Sequence, residues 1–272
     1  MKFSRNERIS VLTKILLDNP DKIINLNYFT EKFNAAKSTI SEDLVILKEA
    51  FSKFNMGKVE TIAGAAGGVK YTCGINKTGA KDFIKNLCGM INNKERIIPG
   101  DFLYITDLMY NPLVIKEAGL ILASVFADKG IDYVVTVETK GIPLAYEVSR
   151  MLGVELVIVR RENIFSEGST VSINYVSGST KILQTMTLSK RAIKENSKCI
   201  FIDDFMKAGG TAAGIINLLK EFKSELLGIG ILIDNVQSKE KLIKDHVSLV
   251  DYNGFNEEGD ISVTPSKFIQ NL

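Results

Sequence analysis

Two adjacent carboxylates, Asp203 and Asp204, follow the apolar run Cys199, Ile200, Phe201, Ile202, and precede the loop Phe205, Met206, Lys207, Ala208, Gly209, Gly210, Thr211. The apolar run reads as a buried strand, and the residues after the glycines read as a helix. In open parallel sheets ligands sit at the carboxyl ends of strands. A glycine-rich turn that opens a helix aims free backbone N–H groups at one spot, where the helix dipole favours an anion. Gly209 and Gly210 let the backbone come close because they lack Cβ, and Thr211 adds a hydroxyl donor. Two carboxylates beside a phosphate would repel it. They are useful there if they accept hydrogen bonds from neutral sugar hydroxyls. The residues therefore describe a ribose 5-phosphate site. The spacing matches neither the Walker phosphate loop nor the dinucleotide fingerprint. The plainer alternative is an ordinary strand-to-helix turn with glycines.

The rest of the chain must position these groups. It has 272 residues, 45% hydrophobic and 24% charged, enough for one or two domains with a real core. No apolar run approaches the roughly 18 residues of a membrane helix, and the N-terminus lacks the apolar core of a signal peptide, so a cytoplasmic protein with no membrane partner is expected. Cys73, Cys88 and Cys199 are odd in number and far apart, and His246 is the single histidine. That excludes a disulfide framework, a zinc ribbon and a histidine-based triad, and no metal site is assigned. Net charge is +2, but residues 1–98 hold 16 basic and 10 acidic side chains, so the N-terminal part is basic and the remainder mildly acidic.

Helical spacing predicts helices over 1–17, 26–33 and 39–54, the last with Ser38 as N-cap. Strand-like runs at 58–62 and 69–73 flank the glycine-rich turn 63–68. Three helices followed by a hairpin is the order of a winged helix-turn-helix. A linking helix is expected over 78–98. Beyond Phe102, apolar strands at 132–139, 155–161, 198–205 and 225–234 alternate with helices that include 142–152 and 210–222. This alternation predicts a parallel sheet covered on both faces. A polar stretch runs to about 187, with a helix expected near 188–195. The fold class is therefore α/β, a winged helix over 1–75 and a parallel-sheet domain with its linker helix over 76–272.

In a helix-turn-helix the second helix enters the major groove. Here its leading residues are Lys37, Ser38, Thr39 and Ser41. Ser and Thr can pair with several bases, whereas Lys37 suits a phosphate or a guanine. Lys2, Arg5, Arg8 and the wing residue Lys70 would add phosphate contacts. Each lysine taken singly is equally well read as a solvated surface charge.

The segment from Ile200 to Gly214 resembles the phosphoribosyl pyrophosphate (PRPP) motif of the type I phosphoribosyltransferases. The resemblance implies a phosphoribosyltransferase-like sheet, with Asp203 and Asp204 on the ribose hydroxyls and Ala208, Gly209, Gly210 and Thr211 on the 5-phosphate. It further implies that Thr139, Lys140 and Gly141, in the stretch Thr136–Pro143, face the diphosphate with Mg2+ bridging. The whole chain resembles the purine operon repressors of Gram-positive bacteria. The resemblance rests on RISVLTKIL, KSTISEDL, ETIAGAAGGVKY, VTVETKG, TKGIPLAYE, EGSTVSINYVSGS and IDDFMKAGGTAAG, and covers residues 1–265. It implies a homodimeric repressor of purine genes at palindromic operators. PRPP would bind without being turned over and would relieve repression. No other cofactor is required, and the alarmone ppGpp is a competitor in relatives. Phe102 stands where many relatives have a tyrosine placed to stack on the ligand; core packing is its other reading. Tyr175 is either a pocket wall or a hairpin residue. Two other functions remain open at this point: an active purine phosphoribosyltransferase with an accessory DNA-binding domain, and a dimerisation module with a vestigial pocket.

Overall fold

The computed structural model describes residues 3–64, 66–98, 102–162, 168–176, 182–238, 240–256 and 260–272. Lys2 lies outside them. The chain begins with α1 (Arg5–Asp18), α2 (Leu26–Phe33) and α3 (Lys37–Lys53), followed by the antiparallel pair β1 (Lys58–Ile62) and β2 (Gly68–Thr72). Helix α1 starts in a capping box, with Ser4 Oγ accepting from Glu7 N–H and Glu7 returning to the Ser4 backbone. Leu12, Leu16, Phe29, Phe33, Ile40, Leu44, Leu47 and Phe51 recur at helical spacing and meet in one core with Val59 and Val69 from the strands. An isolated antiparallel bridge joins Ile24 to Val69 at the edge of this pair. This is the winged helix-turn-helix. Two helix starts differ from expectation: α1 begins only at Arg5, behind its cap Ser4, and the N-cap of α3 is Ala36, without a side-chain cap bond, so Ser38 sits within the first turn.

Helix α4 (Lys77–Ile91) leads through β3 (Ile97–Ile98), β4 (Phe102–Leu103) and the short α5 (Thr106–Met109) into α6 (Pro112–Phe126). The linking helix is thus shorter than the pattern suggested, ending where Asn92 turns to pair with Val263. Then come β5 (Tyr133–Val137), α7 (Ile142–Leu152), β6 (Glu155–Val159), the hairpin β7 (Thr170–Val176) and β8 (Leu183–Ser189), β9 (Lys198–Met206), α8 (Gly210–Glu221), β10 (Glu225–Asn235), β11 (Val247–Phe255), β12 (Ile261–Pro265) and α9 (Lys267–Gln270). The main sheet has the order β12-β11-β10-β9-β5-β6, parallel except for the edge strand β12.

Alternate residues of the central strands serve two cores, as a pleated sheet requires. Val134, Ile200, Ile202 and Leu232 pack with α4, α6 and α7. Val135, Phe201, Ile229 and Ile231 pack with α8 and the β7–β8 hairpin. The helix expected near 188–195 is absent. Leu188 and Ser189 complete β8, turns follow, and Ile193 is 4% exposed against the sheet. Pairing with β7 across Val171 and Leu188 outweighs a helix propensity worth only tenths of a kcal/mol per residue.

Candidate functional site: a polar pocket at the sheet's carboxyl edge

Strand β9 carries Asp203 and Asp204 near its carboxyl end and runs on to Met206, and α8 begins at Gly210. The seven-residue turn of the sequence reading is the floor of a pocket of about 560 Å³. Its walls include Val137, Glu138, Thr139 and Lys140 from the β5–α7 turn, Arg161 after β6, and every residue from Asp203 to Ala212. Gly209 sits at the helix N-cap with φ +81° and ψ 13°, a left-handed conformation in which a side chain would be strained. That geometry turns the chain into α8, so the free N–H groups of its first turn lie at the pocket.

Gly141 closes the other side. A Cβ there would lie 2.6 Å from Asp203 Oδ1 and 2.8 Å from Thr136 Oγ1. The β5–α7 turn therefore rests directly on the first carboxylate. The Glu138–Thr139 peptide in this turn is cis. Glu138 accepts a hydrogen bond from Arg161 N–H at 2.7 Å and faces Arg160 at 3.3 Å, which fixes the rim between the β5 and β6 ends.

Asp203 Oδ1 accepts the Asp204 N–H at 3.0 Å. Burial first, and the neighbouring Asp204 carboxylate second, hold the Asp203 carboxyl well above the usual carboxylate range. An acceptor in this environment is suited to neutral hydroxyl donors. Among the described residues no three His, Cys, Asp or Glu side chains gather as a metal cage. Mg2+ usually binds through one or two carboxylates plus the phosphates of its partner, and Glu138, Asp203 and Asp204 are the carboxylates on this wall. The three cysteines are buried, and burial raises their thiols to about 11 at Cys73 and about 12 at Cys88 and Cys199, so none is a nucleophile.

The residues proposed from sequence separate into groups. Thr139, Lys140, Asp203, Asp204, Phe205, Met206, Lys207, Ala208, Gly209, Gly210 and Thr211 line one pocket, with Gly141 packed behind it. Tyr175 is not on that wall. It is 6% exposed, donates to Gln184 Oε1 at 2.8 Å and covers Gly214 of α8. Alternation along β7 turns it inward, so it supports the helix rather than the pocket. The ring of Phe102 lies outside the described side chains; its backbone pairs with Ile98. Glu138 was not singled out, although it is adjacent to Thr139.

On the winged helix, Lys37, Ser38 and Ser41 are exposed at the start of α3 and Thr39 is half-buried. Arg5 is 54% exposed and pairs with Glu42 at 3.0 Å. Arg8 points inward. Its Nε meets Asp43 Oδ2 at 2.6 Å, and Asp43 is fully buried. Lys70 is also engaged, at 2.8 Å from Asp21 and 3.6 Å from Asp128, with 18% of its side chain exposed. The Asp128 contact ties the wing to the turn after α6. Arg8 and Lys70 thus answer to carboxylates that the sequence pattern did not connect to them.

A winged helix joined to a phosphoribosyltransferase fold defines a DNA-binding transcriptional regulator as the class of protein. The fold half of that statement rests on solved structures. Adenine phosphoribosyltransferase from Thermoanaerobacter pseudethanolicus aligns with a TM-score of 0.53 at 20% identity, covering 61% of this chain and 98% of that one. The enzyme from Saccharomyces cerevisiae aligns at 0.52 and 21%, with the same coverage. Residues 4–73 match the bacterial purine repressor N-terminal family, and residues 105–261 match the phosphoribosyl transferase domain. The purine biosynthesis transcriptional repressor PurR of Bacillus subtilis is 46% identical over 99% of this chain and 95% of its own length. The purine biosynthesis transcriptional activator PurR of Lactococcus lactis is 37% identical over 90% of this chain and 91% of its own. The chain belongs to this bacterial family of purine biosynthesis transcriptional regulators. A xanthine phosphoribosyltransferase of Lactococcus lactis is similar at 27% identity over 61% of the chain. Among the described residues no helix is long and apolar enough to cross a membrane.

Proposed function

We propose that the chain is a cytoplasmic, homodimeric repressor of purine biosynthesis genes that binds palindromic double-stranded DNA through residues 1–75 and PRPP through residues 76–272, without catalysis. The observation carrying this reading is the single wall that joins Thr139 and Lys140 to Asp203–Thr211. Asp203 and Asp204 accept the ribose hydroxyls. The N–H groups of Gly209, Gly210 and Thr211 take the 5-phosphate at the positive end of α8. Thr139, Lys140 and Arg161 meet the diphosphate, with which Mg2+ enters. The guanosine tetraphosphate alarmone ppGpp, which also carries phosphates on a ribose, competes for the pocket.

Repression is favoured over activation by the higher identity to the Bacillus repressor, 46% against 37% for the Lactococcus activator. Absence of turnover is supported by the same relatives, which are named regulators. PRPP binds better to the form that fits DNA less well, and by linkage DNA weakens PRPP binding by the same factor. The test is a gel shift on a purine-gene promoter fragment at two salt concentrations, with and without PRPP and Mg2+. Specific binding that PRPP weakens is expected; binding indifferent to PRPP overturns the reading. Base-dependent release of pyrophosphate from PRPP would establish the transferase alternative instead.

A further inference from the structure

The excursion between β10 and β11 contains a buried ion cluster that the pocket does not use. Asp234, at the end of β10, is 4% exposed. Lys241 Nζ bonds both of its carboxylate oxygens, and His246 Nε2 lies 3.1 Å from Oδ2. Only 16% of the Lys241 side chain and 9% of the His246 side chain reach the surface. A buried carboxylate needs such partners, because an unpaired charge in the interior is costly. The cluster therefore fastens the chain between residues 234 and 246 at three points.

What lies between these points matters. Leu242 N–H donates to Ala208 O at 2.9 Å. The Ile243 side chain and amide come within 3.2 Å of where a Gly209 Cβ would stand. The fastened segment thus presses on the Ala208–Gly209 peptide, whose left-handed glycine directs the chain into α8. The bond to Ala208 O fixes the plane of that peptide, and so the direction of the Gly209 N–H on its other edge.

From this geometry we propose that Lys241 is a positioning residue for the 5-phosphate loop: clamped on Asp234, it holds Leu242 and Ile243 against Ala208 and Gly209 and fixes the loop in its anion-accepting shape. The inference rests on the PRPP reading and specifies which part of the ligand the clamp serves. Lys241 is not among the residues that line the pocket. Removing the clamp costs the ordering of the loop, which must then be supplied from binding energy. The 5-phosphate half of the ligand loses affinity while the diphosphate half, held by the β5–α7 turn, does not.

The experiment compares full-length wild type, Lys241→Met, Lys241→Arg and Ile243→Ala by calorimetry with three probes: PRPP with Mg2+, ribose 5-phosphate and inorganic pyrophosphate. Wild-type binding of PRPP tests the underlying reading first; if it is absent, that reading fails rather than the clamp. Lys241→Met is expected to weaken ribose 5-phosphate and PRPP by about 10- to 100-fold, the size of loss seen when the hydrogen-bond partner of a metal ligand is removed. Pyrophosphate binding and DNA affinity without effector stay at wild-type values, and Lys241→Arg recovers most of the loss. Ile243→Ala keeps the ion cluster and is expected to show the same selective loss to a smaller degree. Equal loss of ribose 5-phosphate and pyrophosphate, or wild-type ribose 5-phosphate binding in Lys241→Met, overturns the proposal. If Lys241→Met does not fold, Ile243→Ala decides alone.

Discussion

Replacing Gly141 by alanine places one methyl group between the two halves of the pocket. Its nearest neighbours would be Asp203 Oδ1 at 2.6 Å, Thr136 Oγ1 at 2.8 Å and Asp203 Cα at 3.3 Å. Ordinary carbon contacts begin near 3.5 Å, so something must move by close to an ångström. Thr136 is fully buried in β5, and Asp203 is a short side chain whose Oδ1 already accepts the Asp204 N–H. Neither is the loose end of a long side chain, so the strain falls on the carboxylate or on the β5–α7 turn. Overpacking of this kind costs about 1–3 kcal/mol. If that cost is borne by the ligand-ready shape, PRPP affinity falls by about 5- to 150-fold. Calorimetric titration with PRPP reads the loss, and a gel shift shows whether the PRPP needed to release DNA rises by the same factor. DNA affinity without PRPP stays unchanged, because the atoms the added methyl would meet belong to Asp203 and Thr136 of the sheet and none to α3. The control is Gly89→Ala in α4, where a Cβ meets nothing within 4 Å. It is expected to stabilise the chain by about 0.5–1 kcal/mol, with binding untouched. Wild-type PRPP affinity in a folded Gly141→Ala protein would refute the idea that the turn and Asp203 form one ligand surface.

Other outcomes follow from the same geometry. Asp203 keeps its proton to higher pH when folded than when unfolded, since burial and Asp204 disfavour its charge. The native state then binds more protons above the ordinary carboxylate range, so stability falls as pH rises through that window. Asp203→Asn has no proton to lose: its melting temperature should vary less with pH and exceed wild type at neutral pH, while PRPP affinity drops; a parallel pH profile would contradict this. Arg8→Met leaves fully buried Asp43 without its 2.6 Å partner, so the winged helix should melt earlier and lose DNA binding. Adding Asp43→Leu should restore both; a stable double variant that binds DNA weakly and with a shallower salt dependence would instead show that Arg8 reaches a phosphate. Lys37→Ala removes an exposed cation at the start of α3. It should weaken all DNA sequences alike and lower the salt slope by about 1 if Lys37 holds a phosphate. A loss confined to the operator would mean a base contact.

Much of this protein follows from its sequence by itself, because the relevant signals are local. The winged helix is spelled by Leu12, Leu16, Phe29, Phe33, Ile40, Leu44 and Leu47 at helical spacing, and its strands by a glycine turn between apolar runs. The pocket floor is one continuous segment, Asp203 to Thr211, so a strand, an acid pair and a glycine turn in a row suffice to announce it. The residues that tertiary structure decided are those whose partners lie far along the chain. Arg8 meets Asp43 of α3 across 35 positions, and Lys70 meets Asp21 and Asp128, pairings that no local pattern announces. Tyr175 gained its role from Gly214 of α8, and the segment near 188–195 became strand and turn because β7 offered it a partner. Strands β11 and β12 were likewise hidden, since their place at the sheet edge depends on pairing with β10 and with each other. The clamp of Lys241 and His246 on Asp234 is of the same kind: its residues are near in sequence, but its consequence, a fixed Ala208–Gly209 peptide, exists only once the sheet sets β10 beside β9. Periodicity and turn chemistry act within a few residues and can be read directly. A charge buried in the core is matched by whatever the fold carries to it, and only the packed chain reveals that partner.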